Sequence, residues 1–144
     1  MIIYCTSVSQ NWKTIVSYAK KYANQFSRET RFEKAPSNLI PREQIEWIEN
    51  ILDLHINNKQ NIVIASTYEL PILRIMKRIG QTCSGKYDKY INNEQFIVLC
   101  LAENKFPVNQ KDKYYCQRLT VSNEGEFIDT WPEGFFDERM NELF

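Results

Sequence analysis

Few side chains in this 144-residue chain could do chemistry, and their spacing excludes more than it admits. The four cysteines, Cys5, Cys83, Cys100 and Cys116, lie far apart and form no CxxC pair, and the only histidine is His55. Zinc takes ligands at closer spacing, so these residues predict no metal centre. His55 falls near the end of a helical stretch with no cysteine or serine partner implied by spacing, the setting of a helix-end residue. The C-terminal acids, Glu133 and Asp137 among them, could hold a metal for nuclease chemistry. They stand among the aromatics Trp131, Phe135 and Phe136, a mixture that favours packing or a protein contact. Those rings and Tyr114-Tyr115 could also stack on bases, but no basic groove is implied beside them.

The elements that must position these residues belong to an ordinary globular chain. A hydrophobic fraction of 43% with 25% charged residues is enough to build a core, and the length fits one domain spanning 1–144. The 18 basic and 18 acidic residues cancel, which removes the electrostatic case for nucleic-acid or membrane binding by the whole chain. The ends differ, with a balance of +4 over residues 1–34 and −6 over 124–144. No stretch approaches the roughly 20 apolar residues of a membrane span, and no signal peptide is visible. Cys5 and Cys100 sit in apolar runs where a free thiol acts as a small hydrophobe. A reducing cytoplasm is the expected compartment.

Met1-Ile2-Ile3-Tyr4-Cys5 has the composition of a buried strand. From Trp12 the apolar residues Ile15, Val16, Tyr18, Ala19, Tyr22, Ala23 and Phe26 recur at three- and four-residue spacing, an amphipathic helix with a lysine-bearing outer face. Arg31–Ala35 reads as a short strand. A second helix starts at Pro41 and carries Ile45, Ile48, Ile51 and Leu52. Asn61–Ser66 is a continuous apolar strand, the pattern of a sheet covered on both faces. Tyr68–Ile79 reads as a third helix stopped by Gly80, and 81–94 as a polar loop. Gln95–Ala102 and Tyr114–Val121 read as strands, with turn chemistry at Asn123-Glu124-Gly125. Alternating strands and helices predict an α/β fold: a mostly parallel sheet flanked by helices, with a C-terminal antiparallel extension.

Two stretches carry a family resemblance. The ending Glu124-Gly125-Glu126-Phe127-Ile128-Asp129-Thr130-Trp131-Pro132-Glu133-Gly134-Phe135-Phe136-Asp137-Glu138 is similar, with Thr130 as one extra residue, to the "ENGEFIDWPEGFFDE"-type ending of OLD-like ABC-class AAA ATPases of bacteria. The stretch from Ile62 to Arg74 resembles the family's "VIIETHSELLILR" without a gap, sharing the apolar frame, Glu69 and Ile72-Leu73-Arg74. Upstream, Glu33–Pro41 stands where the family has its Walker B motif, with Leu39 and Pro41 in common. Ser7-Val8-Ser9-Gln10-Asn11-Trp12-Lys13-Thr14 has the length of the phosphate loop GxxxxGK[ST] and keeps its Lys13-Thr14 ending.

The same resemblance identifies what is missing. Ser7 and Trp12 replace the two loop glycines, whose absent side chains let backbone N–H groups wrap phosphates. Lys34 stands at the catalytic glutamate, Glu33 at the magnesium-associated acid, and Thr67 at the histidine that senses the γ-phosphate. The resemblance implies a degenerate P-loop NTPase-like chain that has no catalytic residue and does not hydrolyse ATP. It retains Lys13 and Thr14 as remnants of a nucleotide site, with no cofactor expected. Its role would be to bind another protein, a related full-length ATPase or itself, through Trp131, Pro132, Phe135 and Phe136, in a phage-defence or mobile-element setting. The rival readings are a metal-dependent nuclease or other effector enzyme reusing the scaffold, and an accessory domain unrelated to ATPases.

Overall fold

The structure, a computed structural model, describes residues 1–7, 12–25, 30–87, 89–103 and 114–129. Its elements run β1 (Ile2–Ser7), α1 (Trp12–Gln25), β2 (Arg31–Lys34), α2 (Pro41–Asn58), β3 (Ile62–Ala65), α3 (Leu70–Cys83), β4 (Phe96–Glu103) and β5 (Tyr114–Thr120). A 3-10 turn, Asn93–Gln95, leads into β4.

The strands form one five-stranded sheet in the order β2-β3-β1-β4-β5. β1 pairs in parallel with β3 and β4, and β2 in parallel with β3, while β5 runs antiparallel to β4. The fold is therefore α/β, a mostly parallel sheet flanked by helices with an antiparallel C-terminal pair. Every residue of β1 is buried, which explains its unbroken apolar start: a central strand covered on both faces has no solvent side to make polar.

Side chains alternate between the two faces. Ile2, Tyr4, Ile62, Ile64, Phe96 and Val98 pack with Ile48, Ile51, Leu52 of α2 and Ile72, Ile75, Met76 and Ile79 of α3. Ile3, Cys5, Val63, Ala65, Ile97, Leu99 and Leu101 face Ile15 and Ala19 of α1. Among the described residues, one helix thus covers one face and two cover the other. The path from β1 runs past β3 to β2, whereas the path from β3 runs past β1 to β4, so crossovers of one hand place their helices on opposite sides.

α2 starts as its sequence dictates, with Pro41 in the first turn and the Glu43 carboxylate accepting the Ile40 N–H at 3.2 Å. It ends at Lys59, whose φ of 52° is left-handed. α3 differs from its sequence pattern. It begins at Leu70 rather than Tyr68, because the Tyr68 N–H is held by the Ser66 hydroxyl at 3.0 Å. It also passes through Gly80 to Cys83 and stops only at Gly85, φ 73°. Gly80 is small because another strand of chain leans on it: a Cβ there would meet the Glu124 carbonyl oxygen at 2.6 Å. The reciprocal contact comes from Gly125, φ 83°, where a Cβ would lie 2.2 Å from the Met76 carbonyl oxygen.

Those glycines seat the turn after β5. Gly125 donates to the Ser122 carbonyl at 3.0 Å, Val121 bridges to Phe127, and Ile128 donates to the Thr120 carbonyl at 3.0 Å. Asp129 closes the turn by accepting from both the N–H and the hydroxyl of Thr120, at 2.7 and 2.8 Å. These bonds hold its carboxyl below the usual carboxylate range. Among the described residues no helix is long and apolar enough to cross a membrane.

Candidate functional site

The parallel strands β1, β2, β3 and β4 end on one edge of the sheet. At that edge the chain leaves β1 for α1 on one face and leaves β3 for α3 on the other. Neighbouring strands whose connections diverge in this way open a crevice, the usual ligand position in an open α/β sheet. A cleft of about 330 Å³ lies there, lined by Trp12, Ala35, Pro36, Ser37, Asn38, Thr67 and Tyr68. Its walls are the first residue of α1, the loop after β2 and the loop after β3.

Tyr68 ties these walls together. Its hydroxyl donates to the Pro36 carbonyl at 2.7 Å and accepts the Leu39 N–H at 3.0 Å, joining the loop after β3 to the loop after β2. Its own carbonyl accepts the Tyr4 hydroxyl at 2.7 Å, which fixes the same loop to β1. Burial raises the Tyr4 hydroxyl above its ordinary pKa, so it remains a donor throughout the physiological range. Asn38, with a φ of 60°, turns the chain beneath Tyr68. Neither tyrosine stood out in the sequence as a site residue, because the groups they bind are backbone atoms of distant loops.

The pleat of β2 separates its two charged end residues. Glu33 pairs with Ile64 and Lys34 with Ala65, residues that point to opposite faces of β3. Glu33 is ion-paired with Arg31. Lys34 turns to the α1 side, where its ammonium lies 5.4 Å from the centroid of the Trp12 ring. A second pair repeats the contact with roles exchanged, Lys20 of α1 standing 5.9 Å from the Phe32 ring of β2. Two cation–π contacts thus close α1 onto the edge strand. Of the positions that the ATPase resemblance marks as substituted, Trp12 and Thr67 line one cleft and Lys34 flanks it through Trp12.

Lys13 and Thr14 are placed elsewhere. They line a separate groove of about 460 Å³ with Ser17, Tyr18, Lys21, Leu101 and Cys116, between α1 and the β4–β5 side of the sheet. Ser7 is buried, and its hydroxyl donates to the Leu101 carbonyl at 2.9 Å. The structure brings Trp12 and Thr67 together but does not bring Lys13 and Thr14 into their cleft. Trp131, Pro132, Phe135 and Phe136, with the carboxylates Glu133 and Asp137, lie outside the described residues, as do positions 8–11 of the loop. Cys5 is buried beneath the α1 layer, and burial pushes its thiol up to about 12, away from nucleophilic use.

Fold and cleft together define an α/β protein with a mostly parallel sheet and a cleft beside the C-terminal ends of its parallel strands. Residues 108–144 match the model of a family described as "Protein of unknown function (DUF3696)", which is associated with AAA-ATPase-like proteins. The match takes in β5 and the glycine-seated turn that follows it. No curated protein and no solved structure matches the chain.

Proposed function

We propose that the chain is an ATPase-like scaffold of the OLD-like ABC class that does not hydrolyse ATP and acts by binding another protein. The contact between Lys34 and Trp12 carries this reading. Phosphoryl transfer needs a phosphate cradle, a metal and a water-positioning group on one centre. The strand order supports a common origin, because the segments that resemble the cradle, the metal-binding acid and the γ-phosphate sensor leave β1, β2 and β3 at one edge. At that edge a lysine replaces the base, an indole stands at the cradle, and Arg31 engages the remaining acid, Glu33. A cation beside the metal position opposes Mg²⁺ by Coulomb repulsion.

The partner that the resemblance implies is a full-length ATPase of the same kind or a second copy of this chain, in phage defence or on a mobile element. Phosphate release from Mg·ATP by the purified protein tests the reading. The expected rate equals that of buffer alone. Turnover comparable to a working ATPase, lost on Lys13→Ala, would sink it.

A further inference from the structure

On its face of the sheet, α1 packs mainly on β1, β2 and β3. Where it gives way to β4 and β5 the groove of about 460 Å³ opens, with Lys13, Tyr18 and Lys21 on one side and Leu101 and Cys116 on the other. Tyr18 and Leu101 make its walls apolar, and the two lysines make it positive. Among the described residues no carboxylate lines the groove and neither lysine forms an ion pair. α1 itself contains no acidic residue to offset their charge.

The register of β5 brings the C-terminal part of the chain to the same face. Cys116, Arg118 and Thr120 pair with Leu101, Leu99 and Ile97, the β4 residues on the α1 side, so the three form one row there. Asp129 accepts from the Thr120 hydroxyl at 2.8 Å, which sets the chain at the end of that row. Cys116 stands four residues further along β5, about 13 Å at the rise of a strand. An extended chain spans that distance in about four residues, which brings residues 133–136 level with the groove. Residues 130–144 carry Trp131, Phe135 and Phe136, and four acids, Glu133, Asp137, Glu138 and Glu142, against Arg139, a balance of −3. Rings suit the apolar walls and carboxylates suit the lysines. We infer that the groove between α1 and β5 is the docking site of the chain's own segment 130–144, its aromatic rings packed between Tyr18 and Leu101 and its acids beside Lys13 and Lys21. This goes beyond the non-hydrolysing reading and does not rest on it. It gives Lys13, retained from the resembled phosphate loop, a carboxylate to bind in place of a phosphate.

The free cysteines supply the test. Cys116 stands in the groove with an exposed thiol, Cys83 is exposed at the end of α3 on the other side of the sheet, and Cys5 and Cys100 are buried. The full chain is pulsed with a maleimide and each cysteine is read separately by mass spectrometry. In the natural sequence Cys116 should label slowly beside Cys83. Phe135→Ser with Phe136→Ser should speed Cys116 by about tenfold or more, a loss of about 1.4 kcal/mol of docking, and leave Cys83 unchanged. Lys13→Glu with Lys21→Glu should release Cys116 in the same way, and adding Glu133→Lys with Asp137→Lys should restore its protection. One labelling rate for Cys116 in the natural sequence and the phenylalanine variant overturns the inference, as does charge reversal that leaves the rate unmoved. Protection that fades on dilution also overturns it, because the segment would then come from a second copy. Labelling of Cys5 and Cys100 marks an unfolded variant, and the charge-exchange series then decides alone.

Discussion

The ammonium of Lys34 lies 5.4 Å from the centroid of the Trp12 ring, joining the end of β2 to the first residue of α1. Each residue alone is a substitution at a position where the resembled ATPases keep chemistry. Together they form one contact between the end of β2 and the start of α1. A cation–π pair at a partly exposed site contributes about 0.5–1 kcal/mol. A double-mutant cycle of Trp12→Leu and Lys34→Gln in urea should therefore show a coupling of about that size. A coupling indistinguishable from zero would mean that the two residues act independently.

Tyr68 should matter more to the cleft than any other residue in its lining. Tyr68→Phe leaves the half-buried Leu39 N–H and the exposed Pro36 carbonyl without their partner, a loss of about 0.5–1.5 kcal/mol for a typical hydrogen bond. Hydrogen exchange should speed up at Leu39 and in the loop after β2 while β4 and β5 stay protected. Faster exchange spread evenly over the sheet would contradict the role of Tyr68 as a tie between two loops.

The paired glycines make a sharper test of packing. Gly80→Ala places a methyl 2.6 Å from the Glu124 carbonyl oxygen, and Gly125→Ala adds a left-handed φ to a 2.2 Å contact. Overpacking of this kind costs about 1–3 kcal/mol, with the larger loss expected at Gly125. Gly85→Ala is the control: its φ is also positive, yet nothing lies within 4 Å of the added carbon. Chemical denaturation should rank the variants Gly125, Gly80, Gly85 from most to least destabilised.

His55 gives the protein an acid-sensitive contact. Its Nδ1 lies 2.7 Å from the Gln60 carbonyl, which can only accept, so Nδ1 carries the proton. Burial holds the imidazole below its ordinary value of 6.5, outweighing the opposing bond to Gln60. In the window between the lowered folded value and 6.5, the unfolded chain binds more protons than the folded one. Stability should thus be full above that window and decline as pH falls through it. Thermal melts at pH 7.5 and 5.5 should show the decline in the natural sequence and a smaller one in His55→Gln.

The strands were readable wherever burial on both faces forced an apolar run. β1, β3 and β4 announce themselves by Ile2–Tyr4, Ile62–Ile64 and Phe96–Leu101, and their alternation with helical stretches gives a largely parallel sheet. The end of α3 was not readable, because local pattern makes Gly80 a stop signal. Its real constraint is a carbonyl of the turn after β5. The cleft was half readable. Trp12, Lys34 and Thr67 stood out by resemblance as departures from an ATPase. Their convergence depends on β3 lying between β1 and β2 and on the pleat sending Lys34 and Glu33 to opposite faces. Tyr68 carried no signal at all, since its hydroxyl serves backbone groups of a loop distant in sequence.

Calorimetric titration with ATP in the presence of Mg²⁺ tests the central claim most directly, because it reads nucleotide binding without requiring turnover. The account predicts no saturable heat for the natural sequence. Saturable micromolar binding, abolished by Lys13→Ala and unchanged by Lys34→Gln, would contradict it.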